Sequence, residues 1–171
     1  MNPMQQVRIE KVTLNIGAGK DENMLKKGAK LLKNLTGIEP VKTITSKRIQ
    51  AWSLRPGLPI GVKITLRGKD AQAIIPRLLA AKDNELAEGC FDSHGNISFG
   101  IPEYVDIADS KYDPEIGIIG LQTSITLDRP GYRVKKRKTK KMKVSTTHQV
   151  SKEDAMAFFK TTFDTKVGDE Q

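Results

Sequence analysis

The chain has 171 residues, 37% of them hydrophobic and 29% charged, enough to bury one substantial core and short for two independent domains. No window approaches the roughly 18 uninterrupted apolar residues of a membrane helix, and the single cysteine, Cys90, excludes an intramolecular disulfide and Cys-rich zinc sites. The net charge of +9 points to an anionic partner. Met1 to Gln6 is polar and reads as no secretory signal, so a cytoplasmic location is expected.

Val12, Leu14 and Ile16 alternate with Thr13 and Asn15, the pattern of a half-buried strand. Gly17 to Gly19 turn the chain, and Leu25, Gly28, Leu31, Leu32 and Leu35 then recur at helical spacing. That spacing predicts a helix over 22–36 capped by Gly37. β-branched residues in 41–45 and 48–54 predict two further strands. Arg55, Pro56, Gly57, Leu58 and Pro59 interrupt them as an exposed loop tip.

Ile60, Val62, Ile64 and Leu66 alternate with Gly61, Lys63, Thr65 and Arg67, the clearest period-two signal in the chain. Asp70 is expected to cap a helix carrying Ile74, Ile75, Leu78 and Leu79, which Pro76 can kink. Residues 83–112 read as mostly loop with one strand. Leu121, Thr123, Ile125 and Leu127 alternate with polar residues in a last strand. Ser151 and Asp154 form a capping-box pattern before Met156, Phe159 and Phe163, predicting a short helix docked on the body.

Between the last strand and that helix lies the charge. Arg129, Arg133, Lys135, Lys136, Arg137, Lys138, Lys140, Lys141 and Lys143 place nine cations and no acid in fifteen residues. A run of one sign repels itself and stays extended unless a polyanion neutralises it, so it reads as an arm for phosphates, against the alternative of a solvated tether. The whole predicts an α+β fold: an antiparallel sheet with helices on one face and an open RNA-binding face, plus a basic extension. Its parts are a domain at 1–128, the arm at 129–150, and a C-terminal helix and tail at 151–171. Strand parity puts Thr13, Asn15, Lys63, Thr65 and Arg67 on the open face, where hydroxyls, an amide and cations suit ribose and phosphate.

Catalysis finds little support. In NIGAGKDE at 15–22, Leu14 and Asp21 break the Walker spacing and Glu22 breaks the dinucleotide fingerprint. His94 and His148 fit no metal-ligand frame, and Asp106, Asp109, Asp113 and Glu115 match neither a calcium loop nor a catalytic carboxylate pair. No enzyme activity, cofactor or metal is expected. A phosphate-handling enzyme built on Lys20 and this acidic cluster, and a free-standing basic adaptor, are the competing readings.

Four blocks together resemble ribosomal protein five of the large subunit: VRIEKVTLNIGAGK at 7–20, LPIGVKITLRG at 58–68, GNISFGIPEY at 95–104 and YDPEIGIIG at 112–120. RPGYRVKKRK at 129–138 and SKEDAMAFFK at 151–160 resemble its archaeal and eukaryotic branch. The resemblance implies a non-catalytic protein binding 5S rRNA and large-subunit rRNA in the central protuberance, beside neighbouring 5S-binding ribosomal proteins. It implies direct 5S contacts at Asn15 and Thr65, and a loop over 51–58, with Trp52, Arg55 and Pro56, that reaches the peptidyl-site tRNA. Trp52 could equally be a core residue. A small-subunit head protein is a further implied partner across an intersubunit bridge, with the acidic loop 106–115 as its contact. The glutamine that binds 5S rRNA in bacterial members aligns with Ile38, so that contact does not carry over.

Overall fold

The computed structural model describes residues 2–108 and 110–168. Among them are β1 (Arg8–Gly17), α1 (Glu22–Thr36), β2 (Val41–Ile44), β3 (Pro59–Leu66), α2 (Gly68–Ala80), β4 (Glu85–Ala87), β5 (Asn96–Ile101), β6 (Leu121–Asp128), α3 (Arg133–Lys136), α4 (Lys152–Phe163) and β7 (Lys166–Gly168). The fold is α+β. A five-stranded antiparallel sheet has the order β2-β3-β1-β6-β5, and β4 and β7 form a separate parallel pair. The chain divides into two compact units, and β1, β5 and β6 contribute residues to both.

The unit made of Thr13–Leu66 and Gly100–Thr123 is built on the strand alternation. Leu14, Ile16, Val62, Ile64, Leu66 and Leu121 are all buried, as expected where one face of a sheet is covered and the other is wet. The Asp21 side chain accepts from the backbone N–H of Asn23 and Met24 and starts α1, which ends on Gly37. Leu25, Gly28, Leu31 and Leu32 are the buried stripe of α1. A Cβ on Gly28 would lie 3.2 Å from side-chain carbons of both Ile16 and Val62, so this glycine lets the helix sit close on the strands. Gly61 is tighter still: a Cβ there would stand 2.8 Å from the Ile16 carbonyl oxygen.

The strand expected over 48–54 does not form. Ile49 and Leu54 make one isolated bridge across a turn, with Ser53 left-handed at φ 54°. Only four residues separate the bridge partners, too few for β-branched content to extend a ladder. β2 is an edge strand and leaves Val41 and Ile44 exposed.

The other unit comprises the chain up to Val12, Arg67–Phe99, and the chain from Ser124 onward. Arg67, not Asp70, is the N-cap of α2, and no side chain bonds there. Asp70 sits within the first turn, where its charge still suits the positive helix end. The helix continues through Pro76 on its exposed side. The carbonyl of Gln72, which loses its amide partner to the proline, is also on an exposed residue and can take water. Ile74, Ile75, Leu78 and Leu79 are buried.

The Ser151–Asp154 capping box forms as expected and starts α4. That helix buries Ala155 and Phe159, whose ring meets Phe91 edge-on at 6.2 Å and Phe163 at 5.2 Å. β7 follows and pairs with β4, Leu86 opposite Val167. The end of the expected C-terminal tail, 169–171, lies outside the described residues.

Candidate nucleic-acid interface

The strands of the Thr13–Leu66 unit contain no Asp or Glu. Their outward positions hold Thr13 and Asn15, both half-buried, and Lys63, Thr65 and Gln122, all exposed. Asn15 Nδ2 donates to Gln122 Oε1 at 3.1 Å, which fixes both amides in the sheet surface. Gln122 was not among the residues expected at the site, although the polar phase of its strand pointed to it. The turn leaving β1 is held by Ile60, whose carbonyl accepts from the N–H groups of Ala18 and Gly19 at 3.0 and 2.9 Å. This surface is neutral to cationic, and its groups donate and accept over a rigid base.

On the same unit, Thr45 and Leu58 close the loop between β2 and β3. The Thr45 N–H and hydroxyl both donate to the Leu58 carbonyl, at 2.9 and 3.0 Å, while Gly57 N–H donates to the Thr45 carbonyl. Leu54 is buried and anchors the loop. Trp52 is 68% exposed, which removes the core reading of this indole, and Arg55 and Pro56 are exposed beside it.

The acidic loop is occupied from within the unit. Lys30 bridges Asp113 at 2.8 Å and also Glu115, and Tyr104 accepts the Asp113 N–H through its hydroxyl at 2.9 Å. The two carboxylates raise the Lys30 pKa, and the Lys30 ammonium holds Asp113 below the usual carboxylate range. Asp109 lies outside the described residues. No group of His, Cys, Asp or Glu able to hold a metal exists among the described residues.

In the second unit the basic run does not extend. Both of its ends are pinned. Arg129 is 12% exposed and donates to Asp154 at 2.8 Å and to the Gln149 carbonyl at 3.3 Å. The Tyr132 hydroxyl accepts from Val150 N–H at 2.8 Å, and the His148 ring bonds the Pro130 carbonyl at 2.8 Å. Segment 129–150 is therefore a closed loop, because its returning chain finds partners at its root. His148 is part of that closure.

Three cations expected at RNA have acidic partners inside the unit. Lys136 pairs with Glu10 at 2.6 Å and reaches Asp128 at 3.8 Å; Arg67 pairs with Glu10 at 3.2 Å; Arg129 pairs with Asp154. Burial works to raise the Glu10 pKa, but Lys136 and Arg67 outweigh it and hold the carboxyl below its usual range. The same contest at Asp154 is won by the bonds from Ser151 and by Arg129. Asp128 takes a further cation, Arg8, at 2.7 Å and raises its pKa. Glu10, Asp128 and Asp154 were not anticipated in this role, since nothing local in the sequence marks an acid as the distant partner of a basic run. Arg133, Lys135, Arg137, Lys138, Lys140, Lys141 and Lys143 are exposed.

A polar sheet face without carboxylates, a presented indole and a pinned cationic loop are surfaces whose chemistry suits contact with an anionic polymer; among the described residues no helix is long and apolar enough to cross a membrane. Comparison with known proteins agrees. The family model described as ribosomal protein L5 matches residues 2–55, and the one described as the C-terminus of that ribosomal family matches residues 59–162. "Large ribosomal subunit protein uL5" of Sulfurisphaera tokodaii is 48% identical over 98% of this chain and 95% of its own length. The proteins of the same name from Nanoarchaeum equitans and Methanococcus maripaludis are 51% identical over 90% of both chains, and 42% identical over 96% of this chain and 93% of the relative. The chain belongs to the ribosomal protein L5 family. It is a structural, non-enzymatic component of the large ribosomal subunit, with rRNA and ribosomal proteins as its neighbours.

Proposed function

We propose that the chain holds 5S rRNA on the open face of the Thr13–Leu66 unit, through Thr13, Asn15, Lys63, Thr65 and Gln122. The observation that carries this is the absence of any carboxylate from those strands, combined with hydroxyl and amide groups fixed over a buried core. Short neutral donors and acceptors are what ribose 2′-hydroxyls and splayed bases require. Large-subunit rRNA is held by the loop at 129–150, with Arg133, Lys135, Arg137, Lys138, Lys140, Lys141 and Lys143 meeting phosphate. Arg67, Arg129 and Lys136 act through position, keeping strand end and loop in place by their acidic partners.

In this arrangement 1–128 is the RNA-binding body, 129–150 the rRNA loop, and 151–168 the helix and strand that secure it. The Trp52 loop contacts the peptidyl-site tRNA, where an exposed indole can stack on a nucleotide and Arg55 can meet the backbone. The loop around Asp106 and Glu115 faces protein neighbours, a small-subunit head protein among them; exposed Val105, Tyr112 and Ile118 give it the apolar surface such a contact needs.

The test of the sheet face is Asn15→Ala combined with Thr65→Ala. Affinity for 5S rRNA in a filter assay is expected to fall by roughly tenfold, the loss of a few hydrogen bonds of about 0.5–1.5 kcal/mol each, with an unchanged circular dichroism spectrum. Undiminished affinity in a folded variant would remove the sheet face from the interface.

A further inference from the structure

We propose that the interior of the 129–150 loop is a receptor for one unstacked nucleotide of single-stranded RNA. The inference rests on the RNA-binding reading above and deepens it. The loop encloses a cleft of about 500 Å³. Lys135, Lys141 and Lys143 supply cations to its lining, while Tyr132, Met142 and Val144 supply apolar surface; no Asp or Glu lines it.

Two features set this cleft apart from a solvated charge run. Met142 is 65% exposed, an apolar side chain held in water between Lys141 and Lys143, and a soft thioether suits a flat π-surface. The walls are also fixed before any ligand arrives. Lys135 Nζ lies 4.8 Å above the Tyr132 ring, Met142 N–H donates to the Val134 carbonyl at 3.3 Å, and Gln149 Nε2 donates to the Val144 carbonyl at 3.0 Å.

Three lysines and an apolar wall in one cleft match a ligand with a negative phosphate and an apolar, flat base. Free phosphate would use the lysines and leave Met142 without a role. An acidic peptide would meet the same charge but offers no flat face by necessity. Bases inside a duplex stay stacked and cannot enter, so the occupant is a nucleotide of a loop, bulge or end.

The full-length chain and its Met142→Ser and Met142→Leu variants are titrated by fluorescence anisotropy against a labelled short oligouridylate and against a blunt RNA duplex of equal length. Met142→Ser is expected to weaken the single strand by roughly fivefold or more, to leave the salt slope intact because no cation is lost, and to leave duplex affinity unchanged. Met142→Leu is expected to bind as the parent does. Equal single-strand affinity for parent and Met142→Ser, or an equal loss on both RNAs, overturns the receptor while leaving the broader RNA-binding reading in place. A parent protein that binds neither RNA overturns both.

Discussion

Asp154 is the residue on which the basic loop and the last helix depend together, and its replacement by alanine has a calculable effect. Its Oδ2 accepts from Arg129 Nη2 at 2.8 Å, from Ser151 N–H at 3.1 Å and from the Ser151 hydroxyl at 3.0 Å. Alanine removes a charge-assisted hydrogen bond, worth about 1.5–3 kcal/mol when buried, and one arm of a capping box, worth about 0.5–2 kcal/mol. Arg129 stays behind at 12% exposure, with its Nε already lacking a partner. Asp154 itself is 39% exposed, so solvent screening puts both terms toward their lower ends. The sum is about 2 kcal/mol, or about 4–8 °C of melting temperature for a chain of this length.

The effect has a pH signature with a definite sign. The folded-state pKa of Asp154 is depressed, so its contribution is complete above the unfolded value of about 3.9. It is lost as pH falls through the folded value. Thermal melts followed by circular dichroism should therefore show a constant gap between parent and Asp154→Ala near neutrality, closing as the solution becomes acidic. Co-melting of the two proteins at neutral pH would refute the role of this carboxylate in closing the loop.

Gly61→Ala places a methyl 2.8 Å from a backbone oxygen and 3.0 Å from Thr43 Oγ1; it should cost about 1–3 kcal/mol through forced strand displacement. A lower urea midpoint at an unchanged slope would record this. Trp52→Ala removes an exposed ring and should alter stability by less than about 0.5 kcal/mol, yet reduce retention of peptidyl-site tRNA by reconstituted subunits in a sedimentation assay. Full retention would free that loop of the role proposed for it.

The elements legible in the sequence are those whose signals are local. The alternation at Val12–Ile16 and Ile60–Leu66, the stripe of Leu25, Leu31 and Leu32 with its Gly37 cap, and the Ser151–Asp154 box each depend on neighbours within a few residues. β4 and β7 escaped notice because three-residue strands carry no periodicity, and their pairing spans about eighty positions of chain. Asp70 was misplaced as a cap because Arg67 and Gly68 turn the chain three residues earlier, and Arg48–Leu54, whose one β-branched residue is Ile49, closes a turn.

The candidate site divides along the same line. Thr13, Asn15, Lys63 and Thr65 were readable because strand parity alone decides which way a side chain faces. The fate of the cations was not, since self-repulsion of the run is a local argument and Glu10, Asp128 and Asp154 are remote in sequence from the cations they hold. Those three acids neutralise the root of the loop and leave its tip charged. The same fold that supplies a rigid polar sheet thus also decides which lysines and arginines remain for an anionic polymer.

Ultraviolet crosslinking of the chain within assembled large subunits tests the central claim most directly, with the crosslinked peptides and their RNA partners identified by mass spectrometry. The account predicts 5S rRNA on peptides containing Asn15 and Thr65, and large-subunit rRNA on peptides from 133–143. Crosslinks to 5S rRNA confined to α1, on the covered side of the Thr13–Leu66 strands, would contradict it.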